Sequence, residues 1–257
     1  LIVKKAIAAA SLALCVAAFS FAQGAEVIVS AAASLTDVLT ALKPEAEGQI
    51  GAAILLNFGG SGSLRKQIEE GAPVDVFFSA ASEDMDKLER DGRVAPGTRI
   101  DLLSNAIVLV GGDKIVPPPD LDALKAILSG ASLLAIGNPD SVPAGRYAVQ
   151  ALTSLGLYPL VEKKLVLGGT VREVLQYVES GSAPMGIVFL TDAMTLKPGG
   201  RIARLYQFPE SALKAPVLYP VAVMAASKAK DKASQLIAFL RGSSAKEAFV
   251  RAGFVVK

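Results

Sequence analysis

The sequence predicts an α/β protein built from mainly parallel sheets flanked by helices, and two observations carry that prediction. From Glu26 to the C-terminus, short runs rich in Val, Ile and Ala alternate with longer helical stretches, the pattern of strands joined by crossover helices. The composition is also that of a folded chain. Of 257 residues 52% are apolar, and the mean hydropathy is +0.46, which excludes disorder. The length suits one large domain or two lobes of ordinary size.

The elements follow in order. Glu26–Ala33 reads as a strand and Ser34–Leu42 as a helix. Ala52–Phe58 is a second strand, broken by Gly59-Gly60-Ser61-Gly62-Ser63 before a helix over Leu64–Glu70. Val74–Ala80 is a third strand, followed by a helix over Ser82–Asp91. Asn105–Val110 is a strand, and three prolines from Pro117 lead into a helix over Leu121–Leu128. Leu133–Ile136 is a strand, the turn Gly137–Gly145 precedes a helix over Arg146–Leu155, and Val171–Glu179 is helical. Met185–Phe189 and Val217–Ala225 are strands, and helices over Ala229–Leu240 and Ser244–Ala252 close the chain.

Residues 1–25 carry a different signal. Lys4 and Lys5 precede an apolar run from Ala6 to Ala22, and small residues Ala22, Gly24 and Ala25 come before Glu26. This is the layout of a cleaved secretory signal peptide. A membrane anchor wants about 20 apolar residues, more than this Ala-rich run supplies. A lipoprotein acylated at Cys15 would want a small residue where Leu14 stands. Removing the segment takes two Lys and no acid from 26 Lys+Arg against 24 Asp+Glu, so the remainder is balanced at zero. It also removes the single Cys, which suits an oxidising compartment such as the periplasm.

Composition excludes several function classes. With no His there is no Ser-His triad and no His-based zinc site. One Cys excludes a Cys-rich metal cluster and an intrachain disulfide. Zero net charge argues against a nucleic-acid partner.

The informative pieces are the turns that follow strands, made of Ser, Thr, Gly and small apolar residues. In Ala31-Ala32-Ala33-Ser34-Leu35-Thr36-Asp37, Ser34 opens a helix. It reads either as half of a capping box with Asp37 or as a hydroxyl facing an anion at a helix start. In Phe58–Leu64 the glycines permit close backbone approach and Ser61 and Ser63 supply donors. The run is neither a P-loop nor a GxGxxG fingerprint, and a tight strand-to-helix connection explains it equally well. Pro143 and Pro139 stiffen the backbone around Ala144. Thr170-Val171-Arg172-Glu173 starts a helix, and Gly186–Phe189 is a strand. Together these segments describe a site of neutral donors for an ion that brings its own charge. None supplies a nucleophile with a partner.

The stretches AAASLTD, LRKQIEEGAPVDVFFSA, GNPDSVPAGRYA and SAPMGIVFLTDA resemble the periplasmic molybdate-binding proteins of ABC transporters, in order and over nearly the whole mature chain. The resemblance implies the two-lobed type II periplasmic binding fold with a ligand cleft between lobes. Lobe 1 would comprise 26–104 and 218–257, and lobe 2 105–217, with crossings near Asn105 and Tyr219. It implies an oxyanion, molybdate or tungstate, held by Ser34 and Ser61 through hydroxyl and backbone N–H, and by Ala144 and Val171 through backbone N–H. Molybdenum would enter as the oxyanion, with no direct protein ligand to the metal and no cofactor. The family often places a Tyr hydroxyl where this chain has Phe189, so that donor is absent here or replaced, for example by Tyr147 or Thr191. The implied partner is a membrane permease, the implied state a monomer in the periplasm, and no enzymatic activity is implied. Three rivals stand beside this reading. One is a binder of sulfate or phosphate. Another is a Ser-Lys hydrolase at Ser63 and Lys66, the pair that fits the bare Ser-x-x-Lys spacing. The third is a regulatory or interaction domain of the same fold, against which the signal-peptide layout speaks.

Overall fold

The computed structural model describes residues 25–257, so the signal-peptide reading lies, apart from Ala25, outside the described residues. No described helix is long and apolar enough to cross a membrane.

The chain opens with β1 (Glu26–Ala32), a single 3-10 turn (Ala33–Leu35) and α1 (Thr36–Ile50), then β2 (Ala53–Gly59), α2 (Ser61–Glu69), β3 (Val76–Phe78), α3 (Ser82–Arg90) and β4 (Ile100–Asn105). A central stretch follows: β5 (Ile107–Gly112), α4 (Leu121–Gly130), β6 (Leu134–Gly137), α5 (Pro143–Ser154), α6 (Tyr158–Val161), β7 (Leu165–Gly168), α7 (Val171–Glu179), β8 (Met185–Phe189), α8 (Leu190–Ala193) and β9 (Ile202–Gln207). The last part contains β10 (Val217–Val223), α9 (Lys230–Leu240), α10 (Ser243–Arg251) and β11 (Val255–Val256).

Among the described residues the strands form a six-stranded sheet, β11-β4-β10-β3-β1-β2, and a five-stranded sheet, β7-β6-β8-β5-β9. The chain leaves the first sheet through Ala106, between β4 and β5, and returns between β9 and β10. The returning strand lies against the departing one, with Val217 opposite Asn105. Each sheet has a helix-covered core, built in the first from Val27, Val29, Ile54 and Phe78 and in the second from Leu109, Leu134, Ile136 and Ile187, all buried.

Both sheets are mixed, which corrects the expectation of mainly parallel ones. Among the described residues only β1–β2, β1–β3, β6–β7 and β6–β8 run parallel, and within each of the groups β1–β3 and β6–β8 successive strands are joined through crossover helices. β10 runs antiparallel to β3 and β4, and β5 antiparallel to β8 and β9. A strand that arrives from the other lobe has no crossover helix to turn it round, so strand-helix alternation carries no information about its direction.

Two local boundaries also move. The strand expected over Asn105–Val110 is interrupted at Ala106, where the chain changes sheets. Helix α1 runs past Leu42 and through Pro44 to Ile50. Pro44 and Thr40, whose carbonyl loses its amide partner, both face solvent, while Val38, Leu39, Leu42, Ala46 and Ile50 continue one buried stripe. Burial of that stripe outweighs the proline penalty. The helix stops at Gly51, whose φ of 62° is the left-handed cap that glycine adopts freely.

Candidate functional site

Four strand ends and the helices after them meet where the two sheets face each other. One pocket there is lined from the first lobe by Ser34, Gly60 and Ser61 and from the second by Val142, Val171 and Phe189. Of the five residues singled out by the resemblance, Ser34, Ser61, Val171 and Phe189 line it. Ala144 is fully buried just behind, with its neighbours Val142 and Pro143 on the wall.

Ser34 sits in the 3-10 turn between β1 and α1 and is buried. The N-cap of α1 is Leu35, with no side-chain cap bond, so the capping-box reading of Ser34 and Asp37 is overturned. The Ser34 Oγ lies instead 2.9 Å from Tyr219 Oη. Tyr219 in turn accepts from Asn105 Nδ2 at 3.1 Å, and the same nitrogen donates to Thr191 Oγ1 at 2.9 Å. Thr191, one candidate substitute donor, is thus tied to the hinge.

Ser61 is the first residue of α2 and fully buried. The backbone N–H of Ala80 donates to its Oγ at 2.9 Å, which leaves the hydroxyl proton free to point elsewhere. Val171 begins α7 behind Thr170, whose hydroxyl accepts the Glu173 N–H at 3.1 Å, while the Glu173 carboxylate accepts the Gly169 N–H at 2.8 Å. Ala144 follows Pro143 at the start of α5, which has no side-chain cap. The first amides of a helix have no intrahelical acceptor, so the starts of α2, α5 and α7 bring unpaired N–H groups and positive dipole ends to one place.

Phe189 is 1% exposed and packs edge-on against Tyr147 and Tyr219, with ring centroids 6.3 and 5.6 Å apart. Tyr147, the other candidate substitute donor, is buried behind Phe189 and does not line the pocket. Burial pushes its phenol up to about 12 and that of Tyr219 well above the ordinary value, so both stay protonated.

Among the described residues no charged side chain lines the pocket. Charges stand one layer out, paired across the lobes. Arg146 of α5 reaches Asp84 and Glu83 of α3, and Asp84 is also held by Arg65 at 3.2 Å. Arg172 of α7 reaches Asp37 of α1 at 2.5 Å and Asp192 at 2.7 Å. The lobes also touch through backbone, the Gly62 N–H donating to the Ser141 carbonyl at 2.9 Å. These interlobe pairs and the Tyr219–Asn105 pair escaped sequence reasoning. The only trace of the latter is a lone hydroxyl in the apolar run Val217–Val223.

Asp192 is fully buried, and its contact with Arg172 lacks the alignment of a hydrogen bond. Desolvation therefore prevails over the arginine's attraction and pushes the carboxyl up to about 7, from 3.8. Between those values the folded protein keeps a proton that the unfolded chain has released. Stability should accordingly fall as pH rises from about 4 to about 7 and lose this slope above. Melting temperatures of the unliganded protein and of Asp192→Asn across that range check the point. The variant should show a flatter profile, and identical profiles would remove Asp192 as the cause.

The Ser-Lys pair is not assembled. Ser63 and Lys66 share no hydrogen bond among the described residues, and Lys66 is exposed.

Two lobes joined by paired crossings and closed over a pocket of helix starts define a cleft-type binding protein. The chain belongs to the bacterial extracellular solute-binding proteins, whose family pattern matches residues 27–255. It is 37% identical to the molybdate-binding protein of Haemophilus influenzae, covering 93% of each chain. It is 35% identical to a putative ABC transporter substrate-binding lipoprotein of Bacillus subtilis, covering 89% of this chain and 86% of that one. The periplasmic molybdate-binding protein of Azotobacter vinelandii has a similar structure, with a TM-score of 0.77 at 26% identity over 90% of this chain and 99% of that one.

Proposed function

We propose that this protein captures molybdate, and also tungstate, between its lobes outside the cytoplasm and hands it to the membrane permease of an ABC transporter. The observation that carries this reading is the pocket where uncharged donors from both lobes converge. The relatives' molybdate ligand supports the choice of ion. Ser34 and Ser61 donate through hydroxyl and N–H, Ala144 and Val171 through N–H alone. A dianion held this way needs no counter-charge in the wall. Each hydrogen bond to a charged group is worth about 1.5–3 kcal/mol, so the set accounts for tight binding. The protein acts as a monomer in the periplasm, uses no cofactor and catalyses no reaction in this reading.

Calorimetric titration of the mature chain with molybdate, tungstate, sulfate and phosphate tests it. Molybdate and tungstate are expected to bind far more tightly than the other two. Equal binding of sulfate would transfer the protein to the sulfate binders, and ester hydrolysis dependent on Ser63 and Lys66 would revive the enzyme reading.

Phe189 gives a second test. Its ring lines the pocket without a donor, so Phe189→Tyr should add one bond to the anion at the expense of a bridging water. The net gain is modest, about threefold to tenfold in affinity. Tyr147→Phe, behind the wall, should leave affinity unchanged. Weaker binding by Phe189→Tyr would mean the position is already served by another group.

A further inference from the structure

We propose that Asn105 and Tyr219, at the two crossings between lobes, are positioning residues that turn the Ser34 hydroxyl proton toward the bound anion. The proposal rests on the oxyanion reading of the pocket. The direction of each bond follows from what the groups can donate and accept. Asn105 Oδ1 accepts the Ala106 N–H at 2.9 Å, so the other amide atom is the nitrogen, a pure donor. Its two protons go to Thr191 Oγ1 and Tyr219 Oη. Tyr219 Oη, already accepting from Asn105, sends its own proton to the remaining neighbour, Ser34 Oγ. Ser34 therefore accepts on one side and keeps its proton for the pocket that it lines.

The reverse direction is unfavourable. If Ser34 donated to Tyr219, the phenolic proton would be stranded between the rings of Phe189 and Phe254, whose centroids lie 5.6 and 5.2 Å away. A buried donor without a partner is strongly disfavoured. The Tyr219 side chain is fully buried and keeps its proton at any working pH, so the relay is always supplied. A donor oriented before the anion arrives needs no reorganisation when it binds. The relay also spans both lobes, with Ser34 in the first, Thr191 in the second and Asn105 at the crossing, so it is complete only when those three stand in register.

A double-mutant cycle tests this. Molybdate titrations would compare the wild-type chain, Ser34→Ala, Tyr219→Phe and the double variant, with circular dichroism and melting of each unliganded protein. Tyr219→Phe should weaken binding about tenfold, the scale of one net hydrogen bond to a charged group. In the Ser34→Ala background the same change should have almost no effect, because the group it orients is gone. A packing role for Tyr219 would instead reduce affinity by the same factor in both backgrounds, and that result overturns the proposal, as does wild-type affinity in Tyr219→Phe. If Tyr219→Phe does not fold, Asn105→Ala takes its place in the cycle with the same two criteria. Failure of the wild-type chain to bind either molybdate or tungstate is a separate result, which overturns the oxyanion reading and this proposal with it.

Discussion

Gly62→Ala is expected to weaken molybdate binding sharply while leaving the unliganded protein folded or slightly firmer. Gly62 is the second residue of α2, where alanine is the better helix former by about 1 kcal/mol. Within the first lobe, then, the substitution is favourable. Across the cleft it is not. A Cβ at Gly62 would lie 2.9 Å from both the Cα and the carbonyl oxygen of Ser141. Those atoms are backbone and cannot swing aside. Forcing a methyl group into such a contact costs about 1–3 kcal/mol, which falls wholly on the closed state and lowers affinity roughly 5–150-fold. Melting of the unliganded variant, calorimetry with molybdate and small-angle scattering with and without ligand would separate the two effects. The variant should stay extended at ligand concentrations that compact the wild-type protein. Wild-type affinity in Gly62→Ala would show that the liganded lobes do not meet at Ser141.

Ser61→Ala is the second large effect, and it acts on both states. In the proposed reading the substitution removes a hydroxyl donor to the anion, worth about 1.5–3 kcal/mol or roughly 10–150-fold in affinity. It also leaves the Ala80 N–H without its acceptor in the first lobe's interior. An unpaired buried amide costs about 1–3 kcal/mol, so the unliganded protein should melt lower as well. Ser34→Ala differs in kind. No helix amide depends on Ser34, and its removal strands only the Tyr219 proton. A lower melting point for Ser61→Ala with unaltered molybdate affinity would reduce Ser61 to a structural role.

The neutral wall of the pocket is kept neutral by the layer outside it. Arg146 and Arg172 each stand just past a helix start that borders the pocket, yet both are taken up by carboxylates of the opposite lobe. These pairs exist only while the lobes are together. In the proposed reading they join the lobes without placing a formal charge against the anion.

Much of this protein was determined by sequence alone. Four of the five residues that the family resemblance singled out line one pocket; what the residues alone made legible were the small-residue turns after strands in which Ser34, Ser61 and Val171 stand. The glycines at 60 and 62 are equally legible as sites of close approach, although the sequence names neither the approaching segment nor its lobe. What only the tertiary structure decided concerns groups far apart in the chain. Ser34 meets Tyr219 across 185 residues and Asn105 meets Tyr219 across 114. Whether Ser34 caps a helix or faces a cleft turns on that partner, not on its neighbours. The directions of β5 and β10 are likewise set by the passage between lobes rather than by any pattern within them. Local sequence governs backbone conformation through sterics and nearby hydrogen bonds, whereas the partner of a buried hydroxyl is chosen by the packing of two sheets that no short stretch describes.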